Sequence, residues 1–448
     1  MALMISVSGI RGIFGTDLTP ENLIRFTAAY GTWLESGRIV VGRDTRVTGQ
    51  ICEDLVCSTL QSVGCDVIKV GVASTPTVAM SVLKHNAAGG IIISASHNPS
   101  EWNALKLLNG KSEFLDAEQG REVIQISESR EFAYKKFDEI GALSEDPHAL
   151  DHHIDRILDL PYIDADLIAS KNYSIALDPV NGTGGIALPP LLERLGVNTI
   201  HKINEAPNGL FAHNPEPLPE HLEDICSLVI EHKCDLGIVT DPDSDRLALI
   251  TDKGDLFGEE YTQVAAFDLV LSKNPGPCAT NLSSSRAAED IAQKYDQKCH
   301  RSAVGEINVV KKMQEVDAVI GGEGNGGVIN PDLHYGRDAL VGTAMILQLL
   351  AERDIKASDY RASLPGYYMR KSKVQLEGID GDAALEKTRQ KFKDRNPDTT
   401  DGVKIDFEDG WVHLRKSNTE PIIRIYSEGT SPEKAQELAE MVRKKVFG

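Results

Sequence analysis

The 448-residue chain reads as an α/β protein of several domains. Short β-branched runs alternate with amphipathic stretches over most of its length, the pattern of α/β units. Five of those runs stop abruptly at Gly, Ser, Asp or Glu, as buried strands do on entering a loop: Arg38 to Asp44, Gly89 to Ser96, Ser174 to Asp178, Leu236 to Asp241 and Ala318 to Glu323. At roughly 150 residues per domain the length itself suggests about three units. In open α/β sheets ligands gather beyond the carboxyl ends of strands, so these endings are where chemistry is expected.

Helices are expected between the strands. Thr19, Pro20 and Glu21 offer an N-cap, a proline at the first helical position and an acid in the first turn, and Leu23, Phe26, Tyr30 and Leu34 then recur on one face. Ala339 to Ala351 is apolar but interrupted by Gly342, Thr343 and Gln348, too short to span a bilayer, and reads as a core helix. Ser431, Pro432 and Glu433 start a last helix with a stripe of Ala435, Leu438, Ala439, Val442 and Val446. The acidic stretch Leu143 to His148, the turn Asp252 to Asp255 and the linker Ser363 to Gly366 place boundaries that give domains 1–148, 149–253, 254–366 and 367–448, the last of different character.

Composition narrows the class. Forty-one per cent hydrophobic and 25 per cent charged residues exclude intrinsic disorder. A net charge of −20 argues against a nucleic-acid groove or an anionic membrane as partner, though not against a local cationic pocket. Seven scattered cysteines without a CxxC pair fit reduced thiols in a cytoplasmic protein better than a disulfide framework or a zinc site. No basic region followed by an apolar stretch opens the chain, so no signal peptide is expected.

Four loops carry chemistry. Ser94-Ala95-Ser96-His97-Asn98-Pro99 places a serine beside an imidazole and an amide, either a nucleophile in an anion-facing turn or a Ser/Asn-rich turn stopped by proline. Asp241-Pro242-Asp243-Ser244-Asp245-Arg246 sets three carboxylates at alternate positions, able to converge on one hard divalent cation. An EF-hand is the rival, but Arg246 stands where that loop needs glycine, and a merely solvated loop leaves three carboxylates repelling one another. Gly321 to Gly327 brings Glu323 and Asn325 within a backbone that approaches a ligand closely, or is a flexible turn. Arg415 to Pro421, with Arg424 following, is a phosphate cradle or a turn with solvated charges.

Together the loops resemble, in order and spacing, the α-D-phosphohexomutases. The resemblance runs the full length: Ile10-Arg11-Gly12, Gly42-Arg43-Asp44-Thr45-Arg46, Ser-His-Asn-Pro, Asp-x-Asp-x-Asp-Arg, Gly-Glu-x-Asn-Gly and Arg-x-Ser-Asn-Thr-Glu-Pro. It implies four domains around a central cleft, three related mixed α/β units and a smaller α+β C-terminal lid. It implies that Ser96 is carried as phosphoserine and donates phosphate to a hexose monophosphate, giving a hexose 1,6-bisphosphate that reorients and returns its other phosphate. Asp241, Asp243 and Asp245, with a phosphate oxygen on Ser96, would hold Mg²⁺. Arg11, His97 and Lys106 would serve catalysis at the phosphoserine. Arg246, Glu323, Asn325, Arg415, Ser417, Asn418, Thr419 and Arg424 would bind substrate.

Two departures bear on substrate. Many relatives place a histidine where this chain has Gly327, and a serine where it has Asn325. The proton transfer assigned to that histidine falls to Lys106, Arg11 or His334. Thr419-Glu420-Pro421 followed by Ile422, Ile423 and Arg424 resembles phosphoglucosamine mutases, as do Gly305 to Asn308, Tyr335 to Asp338 and the Asn-Gly-Gly loop. Ser417-Asn418-Thr419 resembles the phosphomannomutase/phosphoglucomutase branch. Glucosamine phosphate is the first expectation, mannose or glucose phosphate the alternative. A metal-dependent phosphatase and a non-catalytic sugar-phosphate sensor are rival classes. The first has no use for the Arg415 loop, and the second none for a phosphorylated serine with its own metal.

Overall fold

The computed structural model describes residues 3–6, 9–376, 380–416 and 422–448. The chain divides into two compact units: Met1–Leu269 with Asn325–Asp359, and Val270–Gly324 with Tyr360–Gly448.

The first unit holds two sheets. One has seven strands in the order Met4–Ser6, Gly9–Ile13, Trp102–Asn109, Gly89–Ile93, Arg38–Arg43, Asp66–Val72 and Leu143–Glu145. Its inner strands Gly89–Ile93 and Arg38–Arg43 run parallel, while Gly9–Ile13 and Trp102–Asn109 join antiparallel. Ile91, Ile92 and Ile93 are completely buried, as expected of a strand covered on both faces. The other sheet orders Leu247–Thr251, Leu236–Thr240, Ser174–Asp178 and Thr199–Lys202, with only its first pair antiparallel. Four of the five runs read from sequence are strands of this unit, and each ends where its apolar residues end.

The expected caps form. Thr19 accepts from the Asn22 amide at 3.3 Å to open the helix Pro20–Trp33, whose Leu23, Phe26 and Tyr30 are buried. The helix Ala339–Arg353 is buried from Ala339 to Ala351 and is capped by Asp338. No helix among the described residues is long and apolar enough to cross a membrane.

The second unit contains the parallel strands Cys299–Ser302, Cys278–Asn281 and Ile320–Glu323. It also contains an antiparallel sheet ordered Tyr368–Gln375, Ile422–Gly429, Gly410–Lys416 and Val403–Phe407. The helix Pro432–Phe447, capped by Ser431, lays Leu438 and Val442 on Val412, Leu414, Ile423 and Ile425. This α+β arrangement differs from the mixed sheets of the first unit, as the sequence predicts.

Candidate active site

Ser96 stands just past the carboxyl end of Gly89–Ile93, 3 % exposed, with φ +48 in the left-handed region that costs a non-glycine residue energy. A network fixes it there. The Ser96 amide donates to Ser94 Oγ at 2.9 Å, and Ser94 Oγ donates to Asp44 Oδ2 at 2.7 Å. Arg46, 1 % exposed, pairs with Asp44 at 3.0 Å. Its guanidinium also donates to the carbonyls of Ser96, Asn98, Pro99 and Trp102 at 2.5–2.9 Å. One buried cation thus gathers four acceptors of the serine loop. Arg11 donates to Asn98 Oδ1 at 2.8 Å from the neighbouring strand. His97 Nδ1 lies 3.3 Å from Ser96 Oγ. Burial, with Arg246, Arg11 and Arg337 around it, pushes the His97 imidazole down to about 2, so the ring is neutral.

Ser96 Oγ donates to Asp241 Oδ2 at 2.8 Å, joining the serine loop to the end of the strand Leu236–Thr240. Asp241, Asp243 and Asp245 are wholly buried, and one carboxylate oxygen of each lies within 4.8 Å of the others. Lys106 reaches Asp243 Oδ2 at 2.5 Å and Asp245 Oδ2 at 3.8 Å. Thr75 Oγ1 also donates to Asp243 Oδ2, at 2.5 Å. Burial would raise the Asp243 carboxyl, but Lys106 holds it well below the usual range. Burial would likewise lower Lys106, and Asp243 and Asp245 outweigh it, so the ammonium keeps its proton. Asp241 goes the other way, pushed well up by burial and by the charges of Asp245 and Asp243. Asp243 Oδ1 and Asp245 Oδ1 have no hydrogen-bond partner. Two orphaned carboxylate oxygens beside a third acid form a donor set of oxygen only, which fits a hard divalent cation.

Arg246 keeps its amide on Asp241 Oδ1 at 3.2 Å and its guanidinium on Glu216 at 3.2 Å. A further cation was not read from sequence. Arg337 donates to Asp245 Oδ2 at 2.7 Å, and a Cβ at Gly327 would stand 2.3 Å from the Arg337 side chain. The missing side chain at Gly327 therefore makes room for Arg337, which brings positive charge to the acidic loop. Asn325 Oδ1 accepts from the Gly327 amide at 3.2 Å, closing its own turn. His334 does not fit the proton-transfer role offered by sequence: it is 3 % exposed and stands beside Asp338 at 3.5 Å.

In the second unit a chain of hydrogen bonds ties two of the expected substrate residues together. Asn281 donates to Glu323 at 3.0 Å and accepts from the Ser283 amide at 2.8 Å. Ser283 Oγ meets His413 Nδ1 at 2.8 Å, His413 Nε2 meets the Asp401 carbonyl at 2.6 Å, and the Asp401 carboxylate pairs with Arg415 at 3.2 Å. Burial pushes His413 down to about 4, so it is neutral, donating from Nε2 and accepting from Ser283 at Nδ1. Arg415 faces Arg424 across one strand pair, and Arg424 faces Lys373 across the next. Like charges directly opposite destabilise a sheet, and the Asp401 carboxylate on Arg415 offsets part of that cost. Lys373 and His413 were not read from sequence, because strand register alone brings them to this row and this chain. Ser417, Asn418 and Thr419 lie outside the described residues.

The chain matches the four models of Phosphoglucomutase/phosphomannomutase: alpha/beta/alpha domain I over residues 3–134, domain II over 151–254, domain III over 258–368 and the C-terminal domain over 372–445. It is 39 % identical over 450 residues to a phosphoglucomutase/phosphomannomutase of Thermococcus kodakarensis, covering 98 % of each chain. It is 35 % identical over 442 residues to a probable phosphoglucosamine mutase of Methanopyrus kandleri, covering 98 % of this chain and 96 % of that one. A crystal structure of a phosphoglucomutase/phosphomannomutase family protein from Burkholderia thailandensis shares the fold. Its TM-score is 0.86 at 24 % identity, over 99 % of this chain and 98 % of that one.

The framework around Ser96 yields a prediction. Arg46→Met keeps the length of the side chain but strips Asp44 of its cation and four carbonyls of their donor. Breaking a buried pair by removing one partner costs about 3–5 kcal/mol. Urea denaturation is expected to show that loss; a change under about 1 kcal/mol contradicts the role of Arg46.

Proposed function

The chain belongs to the phosphoglucomutase/phosphomannomutase family of phosphohexomutases, intramolecular phosphotransferases, and we propose that it interconverts a hexose 6-phosphate and the matching 1-phosphate through phosphorylated Ser96 and a 1,6-bisphosphate. The observation that carries this reading is the contact of Ser96 Oγ with Asp241 at 2.8 Å inside a buried triad with two orphaned oxygens. A serine meant only to close a turn needs no such neighbour.

In this proposal Asp241, Asp243 and Asp245 hold Mg²⁺ together with the phosphate on Ser96. When bound, the ion neutralises charge on the transferring phosphoryl group. The chain's own residues do the rest. Phosphoryl transfer needs in-line positioning and charge stabilisation more than covalent help. Lys106, protonated and buried, and Arg11, anchored on Asn98, supply fixed positive charge at the reacting serine. Neutral His97 hydrogen-bonds Oγ and orients it. Glu323 and Asn325 bind sugar hydroxyls, and Arg246 binds substrate beside the acidic loop. Arg415 and Arg424, with Ser417 to Thr419, hold the phosphate that is not reacting. The row of Arg415, Arg424 and Lys373 supports that assignment, since it gathers guanidinium and ammonium groups on one stretch of the sheet. The domains would divide this work: 1–148 phosphoserine, 149–253 metal, 254–366 sugar and 367–448 distal phosphate.

For the sugar, glucosamine 6-phosphate comes first, on the Asn325-Gly326-Gly327 loop and the Tyr335 to Asp338 segment. The 39 % identity to the Thermococcus relative favours glucose or mannose phosphate as the second reading. Turnover against glucosamine, N-acetylglucosamine, glucose and mannose phosphates separates them, glucosamine giving the highest kcat/KM. A higher value for glucose or mannose phosphate reverses the order.

Two further outcomes are expected. Asp243→Asn removes one ligand charge and leaves Lys106 only the more distant Asp245 carboxylate, so Mg²⁺ affinity and turnover should fall together by about tenfold or more, no less than the loss of an outer-shell partner costs. Full activity of EDTA-treated protein without added metal contradicts the metal role. Arg415→Ala removes a charge-assisted bond worth about 1.5–3 kcal/mol, roughly ten- to a hundredfold. Under single-turnover conditions the variant should release 1,6-bisphosphate before it reorients. Inorganic phosphate as the main product of the unmodified chain indicates a phosphatase instead.

A further inference from the structure

The first unit contains a second cluster of ligating side chains that the proposed reaction does not use. His153 Nε2 stands 2.9 Å from Asp338 Oδ2, and His334 Nε2 stands 3.5 Å from the same oxygen. All three donor atoms lie within 4.8 Å of one another. The residues are 0, 3 and 1 % exposed for His153, His334 and Asp338. An independent observation points to a ligand: His334 Nε2 faces Asp338 Oδ2 at 3.5 Å without a hydrogen bond to it, and Nδ1 has no hydrogen-bond partner. Leaving a buried polar group unpaired costs about 1–3 kcal/mol, and a chain that buries a histidine this deeply has a reason to offset that cost.

The surroundings are those of a metal site. The other carboxylate oxygen of Asp338 accepts from the Leu340 and Val341 amides at 2.8 and 3.2 Å, leaving Oδ2 to face the imidazoles. The other nitrogen of His153 is 3.1 Å from Thr77 Oγ1, the outer hydrogen bond that orients a metal-bound imidazole. Ligand bonds of about 2.0–2.1 Å put neighbouring donors about 2.9–3.4 Å apart, close to the 2.9 and 3.5 Å from each imidazole to Asp338 Oδ2. Two imidazoles and one carboxylate suit a divalent transition ion, whereas Mg²⁺ takes oxygen.

We propose that His153, His334 and Asp338 bind one divalent transition-metal ion, zinc first, as a structural tie separate from the Asp241 to Asp245 loop. Its position gives it a purpose. Ala339, next to Asp338, donates its amide to the Ser244 carbonyl at 3.1 Å. Thr75, two residues before Thr77 on the same helix, donates its amide to the Asp243 carbonyl at 2.9 Å. The ion therefore joins the segments that hold the acidic loop from behind, and it stands whether or not that loop performs phosphoryl transfer.

The test is metal content of the full-length protein produced with zinc or cobalt in the medium and purified in EDTA. About one ion per chain is expected, and the cobalt form should show visible ligand-field absorption. Asp243→Asn should keep the ion, while His334→Gln should lose it together with the rise in Tm that the ion confers. Thr77→Val keeps all three ligands and should lower affinity about ten- to a hundredfold, which carries the test if His334→Gln fails to fold. Protein free of zinc and cobalt after this preparation overturns the proposal. So does an ion lost in Asp243→Asn and retained in His334→Gln, which would place it on the acidic loop.

Discussion

Burying three carboxylates in one loop is the constraint from which the rest of the first unit follows. At separations under 4.8 Å, and with an effective dielectric of about 20, each ionised pair repels by roughly 3–4 kcal/mol. Lys106 and Thr75 engage Asp243, Arg337 engages Asp245, and Ser96 engages Asp241, all through Oδ2. The Oδ1 atoms of Asp243 and Asp245 make no hydrogen bond, and Asp245 Oδ1 has only the Arg246 guanidinium at 3.9 Å. Such an arrangement leaves carboxylate oxygens free to take a hard cation. The upward push on the Asp241 carboxyl records the same imbalance.

Holding that imbalance in one geometry requires a rigid frame, and the frame is built from strained loops at strand ends. Ser96, Val180 and Ser244 all have positive φ, at +48, +49 and +55. Val180 is the most telling, because a β-branched residue rarely takes this conformation. Its amide donates to Asp178 at 2.9 Å and its side chain is fully buried, so packing sustains what local preference opposes. The adjoining Asn181 carbonyl accepts from Thr45 at 2.8 Å, two residues from the strand that precedes Arg46. Strain and buried charge thus gather on the same loops, where function commonly collects them.

The strands and their endings were legible because burial on both faces demands continuous apolar runs, and those runs stop where polar loops begin. The caps at Thr19 and Ser431 were legible for an equally local reason. Arg46 was visible only as part of a motif; that it spans four carbonyls depends on the fold of the serine loop. Arg337 was hidden because its place is set by the missing side chain at Gly327, a contact that only the fold creates. His334 was misread for the opposite cause: a histidine near a glycine loop looks available, and only packing shows it sealed against Asp338. Lys373 and His413 depend on register across the C-terminal strands, which no single segment encodes.

The central claim is that the serine held against the aspartate triad carries the transferable phosphate. The most direct measurement is intact mass with phosphate-site mapping of the purified chain, before and after one turnover with a hexose monophosphate. One phosphate is expected, on Ser96, moving to the sugar as 1,6-bisphosphate, with no turnover in Ser96→Ala. A phosphate mapped to another residue, or substantial mutase activity of Ser96→Ala with 1,6-bisphosphate supplied, contradicts it.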